Sequence, residues 1–80
     1  MVRVEFSSRF KKRLSKIRDN NLKEKVKKQI ERIIETPEIG KPMMYSRKGT
    51  REVYISPFRL SYSYFGDKII FLELYHKDEQ

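Results

Sequence analysis

The chain has no cysteine, no tryptophan, one histidine, three glycines and three prolines in 80 residues. Without cysteine neither a disulfide framework nor a thiolate metal site can form, and one histidine cannot build a zinc site alone. The lack of thiols fits a reducing cytosol. Apolar runs are short as well. No segment approaches the ~20 apolar residues of a membrane span, and the opening "MVRVEFSSRF" has no apolar stretch of signal-peptide length. The expectation is a cytoplasmic protein with no membrane partner. A glycine-rich phosphate loop, a His-x-x-x-His pair and a serine or cysteine nucleophile motif are all missing. Nucleotide hydrolysis on a phosphate loop, zinc hydrolysis and acyl-enzyme chemistry therefore have no support, and neither a cofactor nor a metal is expected.

Positive charge is what the chain has in excess. Nineteen Lys and Arg stand against eleven Asp and Glu, a net charge of +8, which favours a phosphate polyanion or an acidic protein as partner. The length predicts one domain spanning residues 1–80. A chain of this size buries only about 60% of its unfolded surface, so a partner that covers more of it adds stability.

The apolar periodicity changes along the chain. "VRVEF" alternates Val2, Val4 and Phe6 against Arg3 and Glu5, the period of a half-buried strand. Ser7 or Ser8 then caps a helix carrying Phe10, Leu14 and Ile17 on one face. "RDNN" (18–21) reads as a turn. Leu22, Val26, Ile30, Ile33 and Ile34 continue at helical spacing to about Thr36, where Pro37 stops the helix. After the "PEIGKP" loop the chain reads as strands: "MMYS", then "REVYIS", "FRLSYSYF" and "KIIFLELYH". The order β-α-α-β-β-β predicts an α+β fold, a two-helix antiparallel hairpin packed on one face of a curved, mainly antiparallel sheet.

Within "FRLSYSYF", strand parity sends Phe58, Leu60, Tyr62 and Tyr64 to the helices and Arg59, Ser61 and Ser63 to the open face. Tyr62 and Tyr64 are expected in the core. The last strand is apolar on both sides, Ile70, Leu72 and Leu74 against Ile69, Phe71 and Tyr75, as in a strand covered on both faces. Its register stays open, because a two-residue and a three-residue turn at Gly66 pair opposite faces.

Two groups of residues carry chemistry. On the helices, Lys11, Lys12, Lys27 and Lys28 belong to a set of cations that outnumbers its acids, suited either to a solvated surface or to RNA phosphates. On or near the open sheet face, Arg47, Lys48, Arg51, Arg59, His76 and Lys77 are interspersed with Tyr45, Tyr54 and Tyr75, a pattern of phosphate contacts and base-stacking surfaces. Cleavage of RNA through its 2′-hydroxyl needs a base, a cation for the phosphate and an acid for the leaving 5′-oxygen. Arg59 qualifies only as the cation, His76 as acid or base, and Lys77 as a phosphate ligand or proton donor. Glu52 and Glu73 are further candidates for the base.

The collinear series "FSSRFKKRLSKI", "LKEKVKKQIERIIETPEIGKPM" and "PFRLSYSYFGDKIIFLELYHK" resembles the RelE/ParE superfamily of toxins from toxin-antitoxin modules, and its RelE branch in particular. The resemblance covers nearly the whole chain. It implies a ribosome-dependent endoribonuclease, an mRNA interferase that cuts mRNA in the decoding site, inhibits translation, and is silenced by a RelB-type antitoxin in a hetero-oligomer. By position, Arg59 matches the family's phosphate-contacting arginine, and His76 and Lys77 match its terminal basic segment. Two departures stand out. Where the family's nucleases carry lysines before that arginine, this chain has Glu52, with Arg51 the nearest cation. Where they end in a base-stacking tyrosine, it ends "KDEQ", leaving Tyr75 or Tyr54. ParE-like relatives act on DNA gyrase instead, so a gyrase-inhibiting toxin and a non-toxic RNA-binding module are the alternatives.

Overall fold

The structure, a computed structural model, describes residues 2–42 and 49–76. Strand β1 (Arg3–Phe6) leads into helix α1 (Ser8–Ser15) and helix α2 (Asn20–Glu35). Strands β2 (Lys41–Pro42), β3 (Thr50–Ile55), β4 (Phe58–Phe65) and β5 (Lys68–His76) follow. They form one sheet in the order β1-β5-β4-β3-β2. Only the β1–β5 pair is parallel. This is the expected α+β layout with two helices on a mainly antiparallel sheet.

Local chemistry sets the helix ends. The Ser7 side chain accepts the amide of Phe10 at the head of α1, and Asp19 accepts those of Asn21 and Leu22 at the head of α2. Each side chain satisfies donors that the first turn leaves orphaned, worth about 1 kcal/mol per cap. Asp19 therefore caps α2 and starts it at Asn20, so the last two residues of "RDNN" are helical rather than turn. Residues Lys41 and Pro42, expected in a loop, pair with Glu52 and Arg51 as β2. The strand expected over "MMYS" lies outside the described residues.

The core brings Phe10 of α1, Ile17 just beyond that helix's end, and Val26 and Ile33 of α2 against Ile55, Leu60, Tyr62, Ile69, Phe71 and Leu74 of the sheet. Burying each such side chain contributes roughly 1.5 to 3 kcal/mol. Tyr62 lies in that core and Tyr64 packs half-buried against it, as expected. The Tyr62 hydroxyl donates to the Pro37 carbonyl at 2.7 Å and accepts the Gly40 amide at 2.9 Å. A Cβ at Gly40 would fall 2.5 Å from that hydroxyl, so only glycine allows the loop to come this close.

The β4–β5 connection is the two-residue turn Gly66-Asp67 between Phe65 and Lys68, with Gly66 at φ 61°. A left-handed residue there suits the twist of a tight hairpin. The expected faces of β5 need one correction. Ser61 faces Glu73 but Tyr62 faces Phe71, so Leu72 is an extra residue in the ladder, a β-bulge. Beyond it the alternation shifts by one. Leu74 joins Ile69 and Phe71 on the helix side, while Glu73 and Tyr75 face the open side. The Ser7 hydroxyl donates to the Leu72 carbonyl at 2.6 Å, so the head of α1 is tied to the bulge. Among the described residues no helix is long and apolar enough to cross a membrane.

Candidate functional site

Arg59 sits on the open face of β4 because its neighbours in the alternation, Phe58 and Leu60, are held by the core. It forms a row with Tyr54 of β3 and Tyr75 of β5, directly opposite it on either side. Glu52, two residues from Tyr54, lies diagonally across. Its Oε1 accepts the Arg59 Nη1 at 2.9 Å, and its Oε2 accepts the Tyr75 hydroxyl. Glu52 is well buried, its side chain 10% exposed, while that of Arg59 is 38% exposed. Both carboxylate oxygens are thus held, and the cation keeps an open side. The Arg59 guanidinium carbon is 6.0 Å from the ring centroid of Tyr54, a residue that is 53% exposed. Its Nε finds no acceptor among the described residues.

The same face continues into a cleft of about 400 Å³ lined by Ser7, Ser8, Arg9, Thr50, Ser61, Leu72 and Glu73. Arg9 Nη1 meets Glu73 Oε1 at 2.5 Å. Glu52 and Glu73 therefore flank Ser61 across three strands, each with an arginine of its own.

His76 stands elsewhere. The bulge places it in the row with Phe58, on the helix side, where the two rings meet edge to face at 5.8 Å. There it borders a second cleft of about 490 Å³ with Arg13, Lys16, Ile17, Arg18, Asp19 and Leu22. Arg59 and His76 are on opposite faces of the sheet. Arg51 also leaves the open face: its Nη1 donates to the carbonyls of Glu38 and Gly40 at 3.0 and 2.9 Å, which anchors the loop after α2. Lys11, Lys12, Lys27 and Lys28 are exposed on the helices. Arg47, Lys48 and Lys77 lie outside the described residues, as does Tyr45. A signal for the Glu52 pairing was present in the sequence, since a side chain two residues from a directly opposed one is within diagonal reach of an arginine. It needed the β3–β4 register to be read.

The open face thus offers a carboxylate oriented by a cation and a phenol, a partly exposed guanidinium and an exposed aromatic ring. Among the described residues no group of three or more His, Asp or Glu is placed to hold a metal ion. What the arrangement can do is bind a phosphodiester at Arg59 and accept a proton at Glu52.

The chain belongs to the ParE toxin family of type II toxin-antitoxin systems, whose family model matches residues 4–80, and with it to the RelE/ParE superfamily. It is a toxin of a type II toxin-antitoxin system with the RelE, YoeB and YafQ fold. The RelE chain of the intact Escherichia coli RelBE toxin-antitoxin complex superposes with a TM-score of 0.81 at 18% identity, covering 95% of this chain and 96% of that one. The YoeB/ParE toxin from Agrobacterium tumefaciens gives 0.81 at 17% identity, with 94% and 98% covered. YafQ from E. coli gives 0.76 at 21% identity, with 99% and 97% covered. At such identities the likeness is one of fold. No curated protein matches the chain.

Proposed function

We propose that the protein is a ribosome-dependent endoribonuclease that cleaves mRNA in the decoding site, and that a RelB-type antitoxin silences it. The observation that carries this reading is the Glu52–Arg59–Tyr75 cluster on the open sheet face. The proton of a 2′-hydroxyl passes to the Glu52 carboxylate as that oxygen bonds to the adjacent phosphorus. The phosphorus–O5′ bond breaks, and the departing 5′-oxygen takes up a proton. The products are a 2′,3′-cyclic phosphate and a 5′-hydroxyl. Arg59 stabilises the charge growing on the phosphate oxygens, the role a fixed guanidinium fills best. Tyr75 holds the carboxylate in place. Lys77 is the side chain proposed to contact phosphate or to protonate the leaving oxygen. His76, across the sheet from Arg59, is given no part in the bond-breaking step.

Among the helix cations, Lys11, Lys12 and Lys27 are proposed to meet ribosomal RNA phosphates, and the reaction takes place in the cytoplasm on the ribosome. RelE is solved with its antitoxin in the RelBE complex. A comparable acidic, partly apolar chain laid on this toxin would neutralise part of the +8 charge and cover Ile70 and Leu72, which are half-exposed.

The test is primer extension on mRNA bound to purified ribosomes. New ends within the decoding-site codon, absent with Arg59→Gln, support the nuclease. A second reading, a ParE-type toxin that inhibits DNA gyrase and cuts nothing, draws on the family model being that of ParE. A gyrase supercoiling assay beside the ribosome assay separates the two.

A further inference from the structure

A third cleft lies at the turn end of β3, where the sheet edge meets α2. It is lined by Lys25, Lys28, Gln29, Arg32, Tyr54 and Ser56, together with Ile55, and holds about 320 Å³. Lys25, Lys28 and Arg32 follow one another at i, i+3 and i+7, one face of the helix, along about 10 Å of its axis. All three are exposed. Among the described residues none of the three takes part in an ion pair and no carboxylate lines the cleft. Among the described residues β2 pairs with β3 only at Arg51 and Glu52, and no strand pairs with the Tyr54 end of that edge.

Tyr54 joins this cleft to Arg59. Tyr54 is among the residues that line the cleft, is 53% exposed, and has the Arg59 guanidinium carbon 6.0 Å from its ring centroid. A row of cations with no ion pair among the described residues, bordering the same cleft as an exposed aromatic residue at the sheet edge, is the combination that holds single-stranded nucleic acid, phosphates on the cations and a base on the ring. An acidic protein would use the cations but has no need of the ring. From this juxtaposition we infer that the Lys25–Lys28–Arg32 cleft is a subsite for single-stranded RNA. It takes the phosphates of the nucleotides that flank the one held at Arg59, with one base stacked on Tyr54. The inference rests on reading the protein as an RNA-cleaving toxin, and it gives α2 a substrate-binding role beside the reacting phosphate.

The subsite is tested with binding that requires no cleavage. The probe is a fluorescent single-stranded RNA of about 12 nucleotides, 2′-O-methylated throughout so that it cannot be cut. Its dissociation constant is measured by anisotropy across a salt series for wild type, Lys25→Ala/Lys28→Ala/Arg32→Ala, Tyr54→Ala and Tyr54→Phe. Each phosphate contact contributes about 0.7 to the slope of log K against log salt, so the triple variant should lower the slope by about 2. Tyr54→Ala should weaken binding by at least about fivefold with the slope unchanged, and Tyr54→Phe should bind as wild type. Far-ultraviolet circular dichroism and thermal midpoints, expected to be unchanged for these exposed side chains, check folding.

An unchanged slope in the triple variant and unchanged affinity in Tyr54→Ala would overturn the subsite. So would loss of affinity by the triple variant for polyglutamate but not for the RNA, which would assign the cleft to an acidic protein. The nuclease reading fails separately, as intact mRNA on the ribosome with the slopes behaving as stated.

Discussion

Glu52 and Arg59 meet diagonally across β3 and β4, Oε1 to Nη1 at 2.9 Å, and the carboxylate is the more deeply buried of the two. The pair is asymmetric in consequence. Removing the arginine strands a buried anion, whereas removing the glutamate frees a cation that solvent already reaches.

Arg59→Ala should therefore destabilise the fold more than Glu52→Ala. A stranded carboxylate that keeps only the Tyr75 hydroxyl costs roughly 1 to 3 kcal/mol, and the exposure of Arg59 puts the expectation at the low end. The double alanine variant should recover part of that loss. Urea denaturation of the four proteins in a double-mutant cycle measures the coupling. Equal losses in the two single variants, adding without coupling, would mean the pair contributes nothing.

Activity should divide the same cluster differently. Glu52→Gln keeps the shape of the side chain but replaces one of its two acceptor oxygens with a donor and cannot take a proton, so turnover should fall by about 10²- to 10⁴-fold while RNA affinity holds or rises. Arg59→Lys keeps the charge and loses the planar fork, so affinity and turnover should both fall. Tyr75→Phe should leave the carboxylate less well oriented and cost less than either. Single-turnover cleavage beside binding of an uncleavable RNA distinguishes these patterns.

Burial raises the Tyr62 phenol above its ordinary value, against the smaller opposing effects of the Gly40 amide and Arg51. A raised phenol favours the folded state fully below the unfolded value near 10, and the contribution is lost as pH rises through the folded value. This group should thus make stability fall as pH rises above about 10. Tyr62→Phe should flatten that alkaline limb and cost roughly 1 to 3 kcal/mol at neutral pH, because the Pro37 carbonyl and Gly40 amide lose their partner. Urea midpoints taken from pH 7 to 11 give both quantities.

The Glu5 carboxyl is lowered by its hydrogen bond and charge pairing with Lys68, whose Nζ is 2.8 Å away across the parallel β1–β5 edge. A lowered carboxyl contributes stability above its unfolded value, and that contribution disappears as pH falls through the folded value. Lys68→Ala should therefore make the acid limb shallower, and raised salt should do the same to the wild type, since the pair is exposed to solvent. Acid titration of the thermal midpoint in low and high salt reads the effect.

The fold was largely legible because the apolar periods change cleanly. Val2, Val4 and Phe6 alternate, Phe10 to Ile34 repeat at helical spacing, and Pro37 ends the second helix. The parallel edge was not legible, since nothing in "VRVEF" says which strand it joins. The bulge at Leu72 was hidden for a physical reason. A run apolar on both sides reads the same whether or not one residue stands outside the ladder, yet that residue decides which face Leu74 and His76 take. Arg59 was recognisable as an open-face cation from strand parity alone. Its partner Glu52 appeared in the sequence as a departure from the family's lysines, and only the β3–β4 register turns it into a neighbour. Arg51 reads as a cation of the open face until the loop carbonyls of Glu38 and Gly40 are seen to claim it.

The measurement closest to the central claim is cleavage of ribosome-bound mRNA in which the nucleotide 5′ to the cut carries a 2′-deoxy sugar. It should be run beside the all-ribose message and the Arg59→Gln variant, with the new 3′ end analysed. The account predicts a 2′,3′-cyclic phosphate on the all-ribose message, no cut on the deoxy message, and none with Arg59→Gln. A cut that survives the deoxy substitution, or that Arg59→Gln makes as fast as wild type, would contradict it.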